Sequence, residues 1–218
     1  MSTVLITGAN RGIGLELARI YAGRGHTVIA ACRRSSPELE AIGARFEVLD
    51  VADDASVAAL GERLEDSLDL VVHNAGVLQR TTLDALDLAA VRRQFEVNAL
   101  GPVKLTAALQ ARLEDGAKVA IITSRMGSIA DNTSGSHYGY RMSKAAVNTA
   151  GVSLSHDLRP RNIAVALLHP GYVRTGMTGG NGNWNADEAA AALVQRIDEL
   201  TLANSGTFWH AEGQVLPW

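Results

Sequence analysis

Short runs of β-branched and other apolar residues recur along the chain, separated by longer stretches whose apolar positions return with helical spacing. The runs Val4–Thr7, Thr27–Ala31, Phe46–Val51, Leu68–Asn74, Lys118–Thr123, Ile163–His169 and Thr207–Trp209 predict strands. The intervening spacing predicts helices over Ile13–Ala22, Ser56–Leu64, Asp87–Asn98, Gly101–Leu113, Tyr138–Leu158 and Ala186–Leu202. Strands that are apolar throughout and alternate with helices imply a parallel sheet covered on both faces. Right-handed crossovers then give a doubly wound, three-layer α/β fold of the Rossmann type. Asn185 followed by Glu188 reads as the capping box of the last helix. Two polar, glycine-rich segments, Asp131–His137 and Gly176–Trp184, follow strand ends on the side where open α/β sheets bind ligands.

Composition narrows this picture. A chain of 218 residues with 47% hydrophobic content suits one domain over 1–218 with a large core. The formal charge of −3 gives no bulk signal for nucleic acid or a membrane surface. Cys32 is the only cysteine, which excludes an internal disulfide. No apolar run approaches the roughly 18 residues that span a bilayer. The stretch from Met1 into the first strand has no basic region with a cleavage site, so a cytoplasmic protein is expected.

The first predicted strand ends in Thr7-Gly8-Ala9-Asn10-Arg11-Gly12-Ile13-Gly14, and a helix pattern follows at once. Glycines let backbone approach a pyrophosphate, and the free N–H groups of a helix start favour negative charge. The turn is therefore the candidate phosphate site of a nicotinamide dinucleotide. Near the end of the second strand an acid would select a free ribose 2′-hydroxyl. The sequence there is Ala31-Cys32-Arg33-Arg34, so Arg33 is the candidate grip on a 2′-phosphate, with Arg11 on the phosphate turn as a second candidate. NADPH is expected over NADH.

Tyr140 and Lys144 stand four apart at the start of a helix pattern and share a face. An ammonium about 4 Å from a phenol, at an effective dielectric of about 20, favours the phenolate by roughly 4 kcal/mol. That is enough to bring a tyrosine from about 10 toward neutrality, where it can serve as acid or base. Tyr138 lacks such a partner, because Met142 occupies the matching place.

Together, Thr7–Gly14 and the Tyr140/Lys144 pair resemble the short-chain dehydrogenase/reductase family, and the match runs along almost the whole chain. The resemblance implies further roles, residue by residue. Asp50-Val51 stands where the family contacts adenine, and Asn74-Ala75-Gly76 where it stabilises the sheet beside the cofactor. Asn98 matches the helix asparagine of a proton relay, and Ser124 the serine that binds the reacting oxygen. Pro170, Gly171, Val173 and Thr175 match the segment that meets the nicotinamide. The implied catalytic set is Ser124, Tyr140, Lys144 and Asn98, and the implied strand order is 3-2-1-4-5-6-7. The segments Ser124–Ile129, Tyr140–Lys144 and Leu216-Pro217-Trp218 are similar to C-factor and sniffer-type carbonyl reductases.

The resemblance implies an oxidoreductase that interconverts a carbonyl and an alcohol. The alternative is a dinucleotide-binding sensor or signalling protein with incidental turnover. Some positions depart from the family pattern: His73 precedes Asn74, and the interval from Ser124 to Tyr140 is lengthened. His73 and His169 are expected to pack or bond locally. The glycines of 176–184 suggest a mobile lid over an open site, with Trp184 a candidate substrate contact. His26, His156 and His210 lack metal-ligand spacing, so no metal is expected. Leu105, Ala108 and Leu109 either supply a pairing face for a homodimer or homotetramer or pack on the sheet.

Overall fold

The computed structural model describes residues 1–218, and each predicted apolar run becomes a strand. In chain order the strands are β1 (Thr3–Thr7), β2 (Thr27–Cys32), β3 (Arg45–Val48), β4 (Leu68–His73), β5 (Leu113–Ile122), β6 (Ala164–His169) and β7 (Phe208–His210). All pair in parallel, in the order β3-β2-β1-β4-β5-β6-β7. The helices are α1 (Gly12–Gly23), α2 (Pro37–Ala41), α3 (Asp54–Arg63), α4 (Leu88–Phe95), α5 (Gly101–Leu109), α6 (Tyr138–Asp157) and α7 (Ala186–Asp198).

The alternation of side chains along each strand splits the core in two. Val4 and Ile6 point into one layer with Leu17, Leu193 and Val194 of α1 and α7. Leu5 points into the other, with Leu60, Leu105, Leu109 and Val147 of α3, α5 and α6. Both faces being covered is what makes the strands apolar throughout. Leu105 and Leu109 are wholly buried, so they pack on the sheet and supply no free pairing face. Ala108 lies against Gly61 of α3. No helix is long and apolar enough to cross a membrane.

Three local features differ from the periodicity. A short helix, α2, follows β2. Ser36 caps it by accepting from the Leu39 N–H, and Pro37 opens it, but five residues are too few to show a period. β5 begins at Leu113 with a register shift against β4, and Gly116 in this stretch has a positive φ. The predicted helix to Leu113 accordingly ends at Leu109, with one 3-10 turn to Arg112. Finally, Asn98 does not end a helix. Residues 96–100 form a π-helical turn joining α4 to α5, and the Gly101 N–H reaches back to the Glu96 oxygen. Such widened turns are rare and concentrate at functional sites. The Asn185–Glu188 capping box forms as predicted.

Candidate active site

The carboxyl ends of β1, β4, β5 and β6 meet along one edge, and the turns that leave them are wired together. Thr7 Oγ1 accepts from the N–H groups of Asn74 (3.0 Å) and Ala75 (2.9 Å). Asn74 Nδ2 donates to the oxygens of Thr7 (3.0 Å) and Gly8 (3.2 Å). These bonds fix the first glycine turn against Asn74-Ala75-Gly76. A methyl group on Gly14 would come within 2.4 Å of both Asn74 Nδ2 and the Gly8 oxygen, so α1 can start here only with glycine.

Arg11 occupies the N-cap of α1 in an extended conformation and gives no side-chain cap. The N–H groups of the first helical turn are thus left for an outside acceptor. Gly12, at φ +54°, keeps the backbone bare opposite Thr175, whose Cγ2 lies 3.4 Å from where a β-carbon would stand. A bare, uncapped helix start facing a second loop fits a pyrophosphate. Asn10 Nδ2 donates to the Arg34 oxygen at 3.1 Å, tying the turn to the end of β2. Arg11 and Arg33 are both exposed at this edge. Asp50 is held by Ser56 Oγ and by its own bond to the Ala52 N–H, and Arg93 stands 3.7 Å away. Val51 turns its side chain into the core against Gly101.

Ser124, Tyr140 and Lys144 converge at the end of β5, all of them buried. The Ser124 hydroxyl accepts from the Met126 N–H at 3.1 Å and lies close enough to the Tyr140 phenol to favour its ionised form. Lys144 Nζ donates to the Ile122 oxygen at 2.8 Å and stands 5.8 Å from the centroid of the Tyr140 ring. This corrects the expectation from helix spacing. The ammonium sits over the ring and gives its hydrogen bond to the Ile122 oxygen, and burial dominates the shift of the phenol. Burial pushes Tyr140 up to about 12, against a small easing from Ser124, and pushes Lys144 down to about 8.

Asn98 is 1% exposed and clamps two elements at once. Its Oδ1 accepts from the Val77 N–H at 2.8 Å. Its Nδ2 donates to the Val77 oxygen at 2.9 Å and to Ser143 Oγ at 3.0 Å. Ser143 in turn donates to the Tyr140 oxygen at 2.8 Å. Asn98 thereby joins the loop after β4 to the first turn of α6.

Beyond β6, Pro170 and Gly171 lead to Val173, which is buried and bridges to Trp184. The expected lid is folded on itself. Thr175 and Thr178 form a reciprocal cap, Gly180 N–H donates to the Thr175 oxygen, and Asn183 N–H donates to the Tyr172 oxygen. Met177 Cε lies 3.7 Å from a β-carbon placed on Gly76, so this segment spans the cleft between the turns. Trp184 packs edge-on to His210, with ring centroids 6.5 Å apart, and His210 meets His169 at 5.1 Å. Burial, with the nearby His210, Arg125 and Lys144, takes His169 down to about 3, and its Nδ1 has no partner.

The family model for short-chain dehydrogenases matches residues 2–186. The chain is a member of the short-chain dehydrogenase family. This dehydrogenase is 44% identical to the 1-hydroxy-2-glutathionyl-2-methyl-3-butene dehydrogenase of Rhodococcus sp. (strain AD45), with both chains fully covered. It is 44% identical to the C-signal protein of Myxococcus xanthus over 69% of its own length and 93% of that protein. Among solved structures it is similar to the NADPH-bound carbonyl reductase from chicken fatty liver (TM-score 0.90, 30% identity, 100% and 99% coverage). It is likewise similar to the carbonyl reductase Sniffer of D. melanogaster (TM-score 0.93, 28% identity, both chains fully covered).

Several residues of the dehydrogenase's site gave no signal of their own in the sequence. Ser143 lies beside two catalytic candidates, yet its partner Asn98 is 45 positions away. Thr123 and Asn148 form a buried pair, hydroxyl to amide oxygen at 2.6 Å, behind Ser124. His73, expected to be packed or hydrogen-bonded at its strand end, is bonded to Thr106 Oγ1 at 2.9 Å, 33 positions away. The Thr106 hydroxyl donates to the Pro102 oxygen, so His73 presents its Nε2 proton to Thr106.

Proposed function

We propose that this oxidoreductase transfers hydride reversibly between NADP(H) and a carbonyl or alcohol, with Ser124, Tyr140, Lys144 and Asn98 as its catalytic tetrad. The observation that carries the reading is the convergence of buried Ser124, Tyr140 and Lys144, with Lys144 over the tyrosine ring, at the strand edge where the glycine turn opens. When bound, the dinucleotide supplies or takes up the hydride. Gly8, Asn10, Arg11, Gly12, Ile13 and Gly14 would hold its pyrophosphate, and Asp50, Val51, Asn74, Ala75 and Gly76 would line its adenine and ribose side. Pro170, Gly171, Val173 and Thr175 would meet the nicotinamide. Arg33 and Arg11 would grip the 2′-phosphate, which the NADPH in the chicken liver relative supports.

In the reductive direction Tyr140 gives its proton to the substrate oxygen. Ser124 donates a hydrogen bond to that oxygen, which strengthens as negative charge develops. Lys144 would bind the ribose of the dinucleotide and return a proton toward Tyr140, and Asn98 holds the turn through which Lys144 reaches solvent protons. Burial keeps Tyr140 protonated at neutral pH, which suits a donor.

The substrate's remote end is read as anionic. Burial, together with the charges of Arg80 and Arg141, holds His137 at the start of α6 below the ordinary imidazole range. Arg141 spends its donors on neutral groups, the oxygens of Gly135 and Met126 and Ser134 Oγ. This agrees with the glutathionyl group in the Rhodococcus relative's name, whose peptide carries carboxylates. The buried, unpaired Cys32 is in keeping with a cytoplasmic setting.

The similarity to C-signal favours a second reading, a signalling protein in which turnover is incidental. The test is consumption of NADPH, with NADH in parallel, across aldehydes, ketones and quinones with and without a carboxylate. Turnover that prefers NADPH and carboxylated substrates is expected. NADPH binding without turnover on any of them would transfer the weight to signalling.

A further inference from the structure

Residues 214–218 run antiparallel beside β7. The His210 N–H donates to the Gln214 oxygen and the Leu216 N–H to the Phe208 oxygen, both at 2.8 Å. This pairing covers the outer edge of the sheet and carries Trp218 across to the loop that follows β5. There the main-chain oxygen of Trp218 accepts from Ser128 Oγ at 2.9 Å and from the Ala130 N–H at 2.8 Å. Its ring stacks on Phe208, with centroids 5.6 Å apart and planes 23° from parallel. Phe208 is wholly buried, but the Trp218 residue stays 49% exposed. Burial by itself is therefore a poor account of this tryptophan. The stack places its backbone oxygen.

The loop it holds is the one that carries Ser124. Ser128 Oγ, while donating to Trp218, accepts from the Asp131 N–H at 3.1 Å. Asp131 pairs with Arg125, the neighbour of Ser124, at 3.1 Å. On its inner side the same turn is pressed against α6. A methyl group on Gly127 would lie 2.7 Å from the carbonyl carbon of Lys144. The serine turn is thus gripped between the helix bearing Tyr140 and Lys144 and the oxygen of Trp218.

We infer that Trp218 is a positioning residue: its stacked ring and main-chain oxygen set the Ser124 turn in register with Tyr140. The role rests on the hydride-transfer reading above, in which Ser124 steadies the reacting oxygen. An error of about 1 Å in such a group can cost about a hundredfold in rate, so a loosened turn has a measurable effect.

The experiment compares Trp218→Ala, Trp218→Phe, Ser128→Ala and the Trp218→Ala/Ser128→Ala double variant. Amide hydrogen exchange over residues 124–131 is read first, without substrate, followed by kcat, KM and NADPH affinity. Trp218→Ala and Ser128→Ala are expected to speed exchange in 124–131 selectively and to lower kcat by about tenfold. NADPH affinity should stay within about twofold, Trp218→Phe should restore both readouts, and the double variant should be no worse than either single change. Exchange that is unchanged in 124–131, or that rises evenly across the sheet, would overturn the assignment, as would additive single effects. A protein that loosens selectively at 124–131 yet reduces no carbonyl would refute hydride transfer while leaving the grip on the serine turn demonstrated.

Discussion

The ammonium of Lys144 stands over the ring of Tyr140, 5.8 Å from its centroid, and gives its hydrogen bond to the Ile122 oxygen. Two buried groups placed in this way each move toward the neutral form: Tyr140 rises to about 12 and Lys144 falls to about 8. The phenol is a proton donor at neutral pH, as carbonyl reduction needs. Tyr140→Phe is expected to keep NADPH affinity and to lose about 10²–10⁴-fold in turnover, read by ligand titration beside steady-state kinetics. The reductive rate of the unaltered protein should hold through neutrality and fall above about pH 8 as Lys144 loses its proton. Near-normal turnover in Tyr140→Phe would remove the proposed acid.

Arg33 is exposed at the end of β2, where no acid competes for the ribose. Hydrogen bonds to a charged group contribute about 1.5–3 kcal/mol, so Arg33→Asp should weaken NADPH by roughly ten- to a hundredfold. NADH should gain relative to it, because the new carboxylate can accept from a 2′-hydroxyl. Dissociation constants for both cofactors, measured at one salt concentration, decide the point. Equal use of the two by the unaltered protein would sink the argument.

Gly14 is set by contact. Its missing methyl group would meet Asn74 Nδ2 and the Gly8 oxygen at 2.4 Å, and neither can retreat without breaking the bond between them. Gly14→Ala should destabilise the fold by about 1–3 kcal/mol. It should also weaken dinucleotide binding, since the glycine turn moves with Asn74. Denaturant midpoints and cofactor titrations read the two effects separately. A variant as stable as the parent, with unchanged affinity, would show that the turn yields freely.

Acid sensitivity follows from two buried histidines. Burial holds His73 down at about 4 and, with its cationic neighbours, His169 at about 3. In the unfolded chain both protonate near 6.5, so between these values the unfolded state binds more protons. Stability is therefore full above about 6.5 and declines as pH falls toward the folded values, by up to about 3 kcal/mol for His73. His73→Asn should flatten that decline in urea unfolding followed between pH 7.5 and pH 4.5 (about three decades in proton activity). An unchanged slope in the variant would count against His73 as the sensitive group.

Much of the candidate site was legible in the sequence because its signals are local. The glycine turn, the four-residue step from Tyr140 to Lys144 and the Pro170–Thr175 segment are each contained in one stretch of chain. Asn98 was legible as a residue but not in its setting. A π turn costs the helix one ordinary hydrogen-bond step, and nothing in Glu96–Leu100 announces it, because it is fixed by Val77 and Ser143 arriving from elsewhere. Leu105 and Leu109 were ambiguous between a pairing face and the core, since periodicity identifies an apolar face without naming what covers it.

By itself the sequence determined the alternation of strands and helices and the fold class, and it named a candidate set of residues for the chemistry. Apolar period, glycine placement and residue type are properties of short segments and need no partner to be read. Only the tertiary structure decided how those residues act on one another. It placed the Lys144 ammonium over the Tyr140 ring, and burial, which depends on every layer packed above a group, reversed the pKa that spacing alone implied. It also brought Trp218 to Ser128 across 90 positions of chain, a contact set by sheet closure and invisible to any local pattern.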